Sequence, residues 1–215
     1  MKNLVTIFSS PRDTFERVRG SKVAWILPTI FVILISLVSL VLQMPYLLDY
    51  TRQSLLKAGN IDPAQIDQIL GVTTITTYAG GVVGIVAMLF LVALLLVLLN
   101  LIVRGEGKYM QFVNVVAYAN LPSVIGGLLT AVLLVAMNAQ SLTDVSLSLG
   151  ALVADKTSMA YRILSLINPF TIWGLYLYIV GAATMMNRPR KKVAIWIVAV
   201  WLIYSLVTVL SAPAV

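Results

Sequence analysis

Asn114, Asn120 and Asn168 are neutral hydrogen-bonding side chains set within or beside long apolar stretches, and Pro122 and Pro169 follow closely behind the last two. Such residues can hold a neutral solute, bond a neighbouring helix or interrupt the backbone ladder, but they transfer neither protons nor electrons. The sequence contains no His and no Cys, which removes imidazole bases, thiolate nucleophiles, disulfides and the usual ligands of zinc, haem and iron–sulfur clusters. A P-loop, a Gly-x-Ser-x-Gly elbow, a His-Glu-x-x-His helix and an Asp-rich metal cluster are absent too. The residues therefore point to no catalytic site, no metal and no cofactor, and away from an enzyme.

The elements that carry these asparagines explain their company. Of the 215 residues 60% are hydrophobic and 11% charged, against roughly 25% charged in soluble proteins. Because a hydrocarbon core is ~30 Å thick and a helix rises ~1.5 Å per residue, about 20 uncharged apolar residues make a spanning segment. Five stretches qualify, at about 23–43, 78–103, 112–138, 163–186 and 193–210, and none holds Asp, Glu, Lys or Arg. Carriers and pumps coupled to protons depend on such groups inside the membrane, so that mechanism is excluded. The fold class expected is all-α: a polytopic membrane protein with five transmembrane helices over 23–211, preceded by a cytoplasmic amphipathic segment at 1–22.

Loop charge sets the expected orientation. With the N-terminus in the cytoplasm and the C-terminus outside, the inner segments hold Lys2, Arg12, Arg17, Arg19, Lys22, Arg104, Lys108, Arg188, Arg190, Lys191 and Lys192, which is 11 of the 15 basic residues. That bias is the positive-inside pattern, and it accounts for the net charge of +7 through anionic headgroups rather than nucleic acid.

Ser10-Pro11-Arg12-Asp13 reads as a helix start, with Ser10 as cap, Asp13 as the capping-box acid and Gly20 available as a stop. Phe15 and Val18, extended by Leu4, Ile7 and Phe8, form an apolar stripe suited to a helix lying at the headgroups. Between the first two spans, Gly59 should end a continuation of the first span, and Ile61-Asp62-Pro63 should open a second helix bearing Ile66, Ile69 and Leu70, giving a helical hairpin on the outer face. Gly80 and Gly84 form Gly-x-x-x-Gly, expected to pack helices within the chain, with a homo-oligomer face as the alternative. Pro122 should kink the third span, with Asn114 and Asn120 satisfying the freed carbonyl, and Asn168-Pro169 should kink the fourth or mark its entry. Trp173, Tyr176, Tyr178, Trp196 and Trp201 read as interfacial belt and packing residues.

Phe8-Ser9-Ser10-Pro11-Arg12-Asp13-Thr14-Phe15, Gly107-Lys108-Tyr109-Met110-Gln111-Phe112 leading to Tyr118-Ala119-Asn120-Leu121-Pro122, and Asn168-Pro169-Phe170-Thr171-Ile172-Trp173 followed by Gly181 and Arg188-Pro189-Arg190-Lys191-Lys192 form an ordered set. In this set the chain resembles the bacterial branch of the Yip family (Ypt/Rab-interacting protein, Yip-one domain). The Asp-Leu-Tyr-Gly-Pro hallmark and long cytoplasmic N-terminal region of the eukaryotic branch are missing, which speaks against a Rab-type GTPase partner. The resemblance implies a non-enzymatic five-span protein of a bacterial plasma membrane that helps other membrane proteins assemble, with an ABC-type exporter as one such partner. A small carrier or channel for a neutral or lipidic solute, lined by Asn114, Asn120 and Asn168, is the other reading that the residues allow.

Overall fold

The computed structural model describes residues 1–59 and 62–211. Two short helices, α1 (Lys2–Ser9) and α2 (Pro11–Val18), precede α3 (Ile26–Ala58), α4 (Pro63–Ile102), α5 (Tyr109–Ala119) and α6 (Leu121–Ala136). A 3-10 turn at Leu149–Leu152 and α7 (Met159–Ser165) lead to α8 (Pro169–Met186) and α9 (Arg190–Ser211). Five segments are long and apolar enough to cross a membrane: α3, α4, α5 with α6, α8 and α9. The fourth starts at Pro169, later than the 163 read from hydropathy, because α7 stops at Ser165 and Asn168 caps a new helix, its Oδ1 accepting from Phe170 N at 2.9 Å.

In the bundle α3 packs on α4 and α6, α5 on α4 and α8, and α9 on α8. α5 is the centre: every residue from Phe112 to Ala119 is buried. α4 contributes Leu89, Ala93, Leu96 and Asn100, spaced three and four apart and all buried, and Val103 just past its end continues the stripe, while Leu91, Leu94, Leu98 and Leu101 on its other sides are exposed. Such an all-round apolar helix suits lipid on its free faces.

α3 and α4 are much longer than a span. Their 33 and 40 residues make helices of roughly 50 and 60 Å, so both continue past the bundle as an antiparallel arm. Gly59 ends α3 in the left-handed region at φ 74°, as expected for a C-terminal glycine. Ile66 and Leu70 are buried between the arm's helices and Arg52 Nη2 meets Asp67 Oδ1 at 2.8 Å. The hairpin anticipated from sequence is there, its first helix continuing the first span to Gly59 as expected and its second being one piece with the next span; Ile61 of the proposed cap lies outside the described residues.

The 139–168 segment is tied down locally. Asp144 accepts from Ser141 Oγ, Ser141 N and Gln140 N, and Asp155 from Thr157 Oγ1 and N. These hydrogen bonds hold both carboxyls below the ordinary aspartate range.

Candidate functional site

The N-terminal helices are not a surface appendage. α1 and α2 lie antiparallel, joined by Thr6 Oγ1 with Thr14 Oγ1 at 2.8 Å and by Arg17, which reaches Asn3 Oδ1 at 3.0 Å, Thr6 Oγ1 at 2.6 Å and Thr14 Oγ1 at 2.8 Å. Their apolar stripe enters the bundle: Ile7 and Phe15 are fully buried and Val18 nearly so. The stripe drawn from sequence is correct, but it faces α5 and α8 as well as any headgroups. There are also two helices where one was expected, and Ser10 caps through no side-chain bond; instead its carbonyl accepts from Thr14 N and Oγ1.

Phe15 is the anchor. Its ring stands edge-on to Tyr118, 6.3 Å between centroids, and it is seated over Gly181. A Cβ there would come within 2.8 Å of Phe15 Cζ and 2.7 Å of Val115 Cγ1. About two and three turns earlier along α8 the same small-residue logic recurs. Gly174 lies against the Ala119 carbonyl, 3.2 Å from where its Cβ would stand, and Gly126 on α6 leaves room for Phe170. Phe8 reaches Trp173, with centroids 6.5 Å apart, so Trp173 bridges hairpin and bundle while remaining half exposed.

The third span breaks at Asn120, between α5 and α6. The ladder closes with Asn120 N to Val116 O at 3.2 Å and resumes with Val124 N to Asn120 O at 3.2 Å, around Pro122, which has no N–H. The expected side-chain rescue by asparagine does not occur. Asn120 Oδ1 accepts from Tyr178 Oη at 3.1 Å, binding α5 to α8. Asn114 Nδ2 donates to Val18 O and Ser21 O, securing the end of α2. Val18 O, which also accepts from Ser21 N at 3.0 Å, and Ser21 O close the C-terminal turn of α2, so Asn114 fixes that turn to α5. With Leu121 and Pro122 buried as well, the break is a packed joint.

Gly80 and Gly84 stand apart from this assembly. No neighbour outside α4 lies within 4 Å of a Cβ added at either, and Gly81 rather than Gly80 faces α3, at Leu40. The expectation that the Gly-x-x-x-Gly pair packs within the chain is thus corrected, since α4 turns its large apolar stripe inward. Gly126, whose place among the small residues of the third span marks it for packing, does that work together with Gly174, for which the spacing of seven to Gly181 was the available signal.

A polar clasp closes the same end of the bundle as the N-terminal hairpin. Glu106 N donates to Met186 O at 3.0 Å, Arg188 Nε to Arg104 O at 2.9 Å and Lys192 Nζ to Val103 O at 3.4 Å, while Asn100 exchanges two bonds with Gly107. Gln111 links the clasp to α2 through Arg19 O at 3.0 Å. Most pieces of the family resemblance are therefore joined along α8: Phe8 meets Trp173, Phe15 meets Tyr118 and Gly181, Asn120 meets Tyr178, and Arg188 and Lys192 meet the 103–107 turn past its far end.

Comparison with known proteins agrees with that convergence. The Yip1 domain matches residues 5–212. The chain belongs to the Yip1 domain family. Among characterised sequences this Yip1 domain protein is similar to "Membrane protein YknW" of Bacillus subtilis (strain 168), 26% identical over 212 residues that cover 97% of this chain and 88% of the relative. No solved structure matches it. A Yip1 domain carried on five membrane-spanning helices is thus what the residues build, and the joint of α2, α5, α6 and α8 is its structural centre.

Asn114, Asn120 and Asn168 bond separate partners rather than one another, and the cavity lined by Thr29 and Asn120 holds about 10 Å³, room for one water at most.

Proposed function

We propose that this Yip1 domain protein is a non-catalytic accessory or assembly factor for other membrane proteins, acting in the plasma membrane of a bacterium with its N-terminus in the cytoplasm. The observation that supports this best is the α3–α4 arm. Beyond the bundle it carries Tyr50, Leu56, Val72 and Ile75, which are 69, 59, 55 and 70% exposed. Apolar residues held outward on a stiff support are what a protein-binding surface needs. Family kinship, the lack of ionisable residues in the spans and the relative known as a membrane protein are consistent with such a role. Its partner class, on the strength of the resemblance, is an ABC-type exporter.

The test is affinity purification from native membranes in mild detergent, followed by mass spectrometry, for the wild type and for Tyr50→Ser/Leu56→Ser/Ile75→Ser. Recovery of a membrane complex by the wild type and its loss in an inserted, folded triple variant is the expected result. Equal recovery by both would remove the arm from the account, and no membrane partner in either would end the proposal.

A further inference from the structure

α2 has a second face. Beside the buried Phe15 and Val18, residues Arg12, Glu16 and Arg19 follow at spacings of four and three, and they wall a cleft of about 380 Å³ against the end of α8 and the start of α9. The facing wall carries Thr184, Arg188 and Arg190. Four guanidinium groups thus share the cleft with one carboxylate. Glu16 is engaged with Arg12, Nε to Oε1 at 2.8 Å, and Arg188 is held by the Arg104 carbonyl, which neutralises no charge. Like charges gathered at one cleft repel one another, and a bound oxyanion converts that cost into charge-assisted hydrogen bonds. α9 begins at Arg190 on the rim, so the positive end of its dipole adds to the same potential.

We propose that this cleft binds the phosphate of an anionic phospholipid headgroup. Two observations favour lipid over a free ion. The cleft lies where two spans end, with Ala183 and Thr184 of α8 in its lining, so a lipid can present its phosphate from the side with its chains along the helices. Its volume also falls within the ~300 to 1,000 Å³ typical of organic ligands and exceeds what one phosphate fills. Arg19 and Arg190 grip the phosphate from opposite walls and Arg12 is steered by Glu16, while the Thr184 hydroxyl is spent on Val180 O at 2.8 Å. This site does not depend on the accessory role: it stands or falls on lipid binding alone.

The full-length chain in detergent is titrated with phosphatidylglycerol, phosphatidylcholine or inorganic phosphate while retained lipid is read by native mass spectrometry and melting by intrinsic fluorescence. Arg19→Gln/Arg190→Gln is compared with Lys2→Gln/Lys108→Gln, a pair at the same end but outside the cleft. Selective retention of phosphatidylglycerol by wild type and control, with affinity reduced about tenfold or more in the cleft variant and its lipid-free melting unchanged, is the expected result. Equal losses in both pairs would overturn the site in favour of diffuse surface charge. Stabilisation by inorganic phosphate at the same concentration as by lipid would overturn the lipid assignment in favour of a free anion. A cleft variant that melts early without lipid is replaced by Arg19→Lys/Arg190→Lys, in which charge is kept and the two-pronged grip lost; retention as in the wild type there would also overturn the proposal.

Discussion

Gly181 shows how much one hydrogen atom can decide. Its missing side chain is filled by Phe15 and Val115, both fully buried and unable to step aside, so Gly181→Val should lower stability by about 1–3 kcal/mol, the usual cost of overpacking. Gly84→Val, on a face where a Cβ meets nothing, should change it by no more than about 0.5 kcal/mol. Thermal melting in detergent compares them, and an equal loss at both would mean that Gly84 also faces a packed surface, such as a second copy. Asparagines teach a related lesson. Which carbonyl Asn114 would choose was not legible, because Val18 and Ser21 lie more than 90 positions earlier, whereas the proline two residues after Asn120 was plain in the sequence and did mark the break.

For the helices, hydropathy located all five spans, since burying or lipidating so many apolar residues leaves few alternatives. It misplaced the start of α8 because Ile163-Leu164-Ser165-Leu166-Ile167 is as apolar as α8 itself; only Asn168-Pro169 distinguishes a new helix there. The N-terminal stripe was legible too, yet a stripe looks the same whether lipid or helix covers it. Phe15→Ala separates the two. If α2 is held by the bundle, removing the ring should undock the α1–α2 hairpin at a cost of about 3–5 kcal/mol, and trypsin should then cut rapidly at Arg12, Arg17 and Arg19. Val5→Ala, at a 73% exposed position, should leave cleavage slow. Fast cleavage of the wild type would show instead that the hairpin is only loosely laid on the surface.

At the level of the whole molecule, basic residues gather where the hairpin, the 103–108 turn and the 187–189 turn meet, and the arm occupies the other end. On the positive-inside rule that first end is the one expected in the cytoplasm. Cys placed at Lys57 or Lys156 should therefore react with an impermeant thiol reagent on intact cells, while Cys at Lys108 or Lys191 should stay unmodified until the cells are opened. A chain without native Cys gives no background, and the reverse labelling pattern would invert the topology.

The seat of Phe15 also sets an order of events in biosynthesis. Phe15 and Gly181 are 166 positions apart, and at ~5–20 residues per second a ribosome needs roughly ten to thirty seconds to cover that distance. The first helices to emerge are consequently among the last to reach their final place, because their socket includes the fourth span. Until that span is inserted, Ile7, Phe15 and Val18 lack the α8 side of their socket, and the part of the stripe left uncovered rests on the bilayer surface. Docking of the N-terminus then closes the assembly from the chain's own beginning, much as a latch is thrown only after the door is hung.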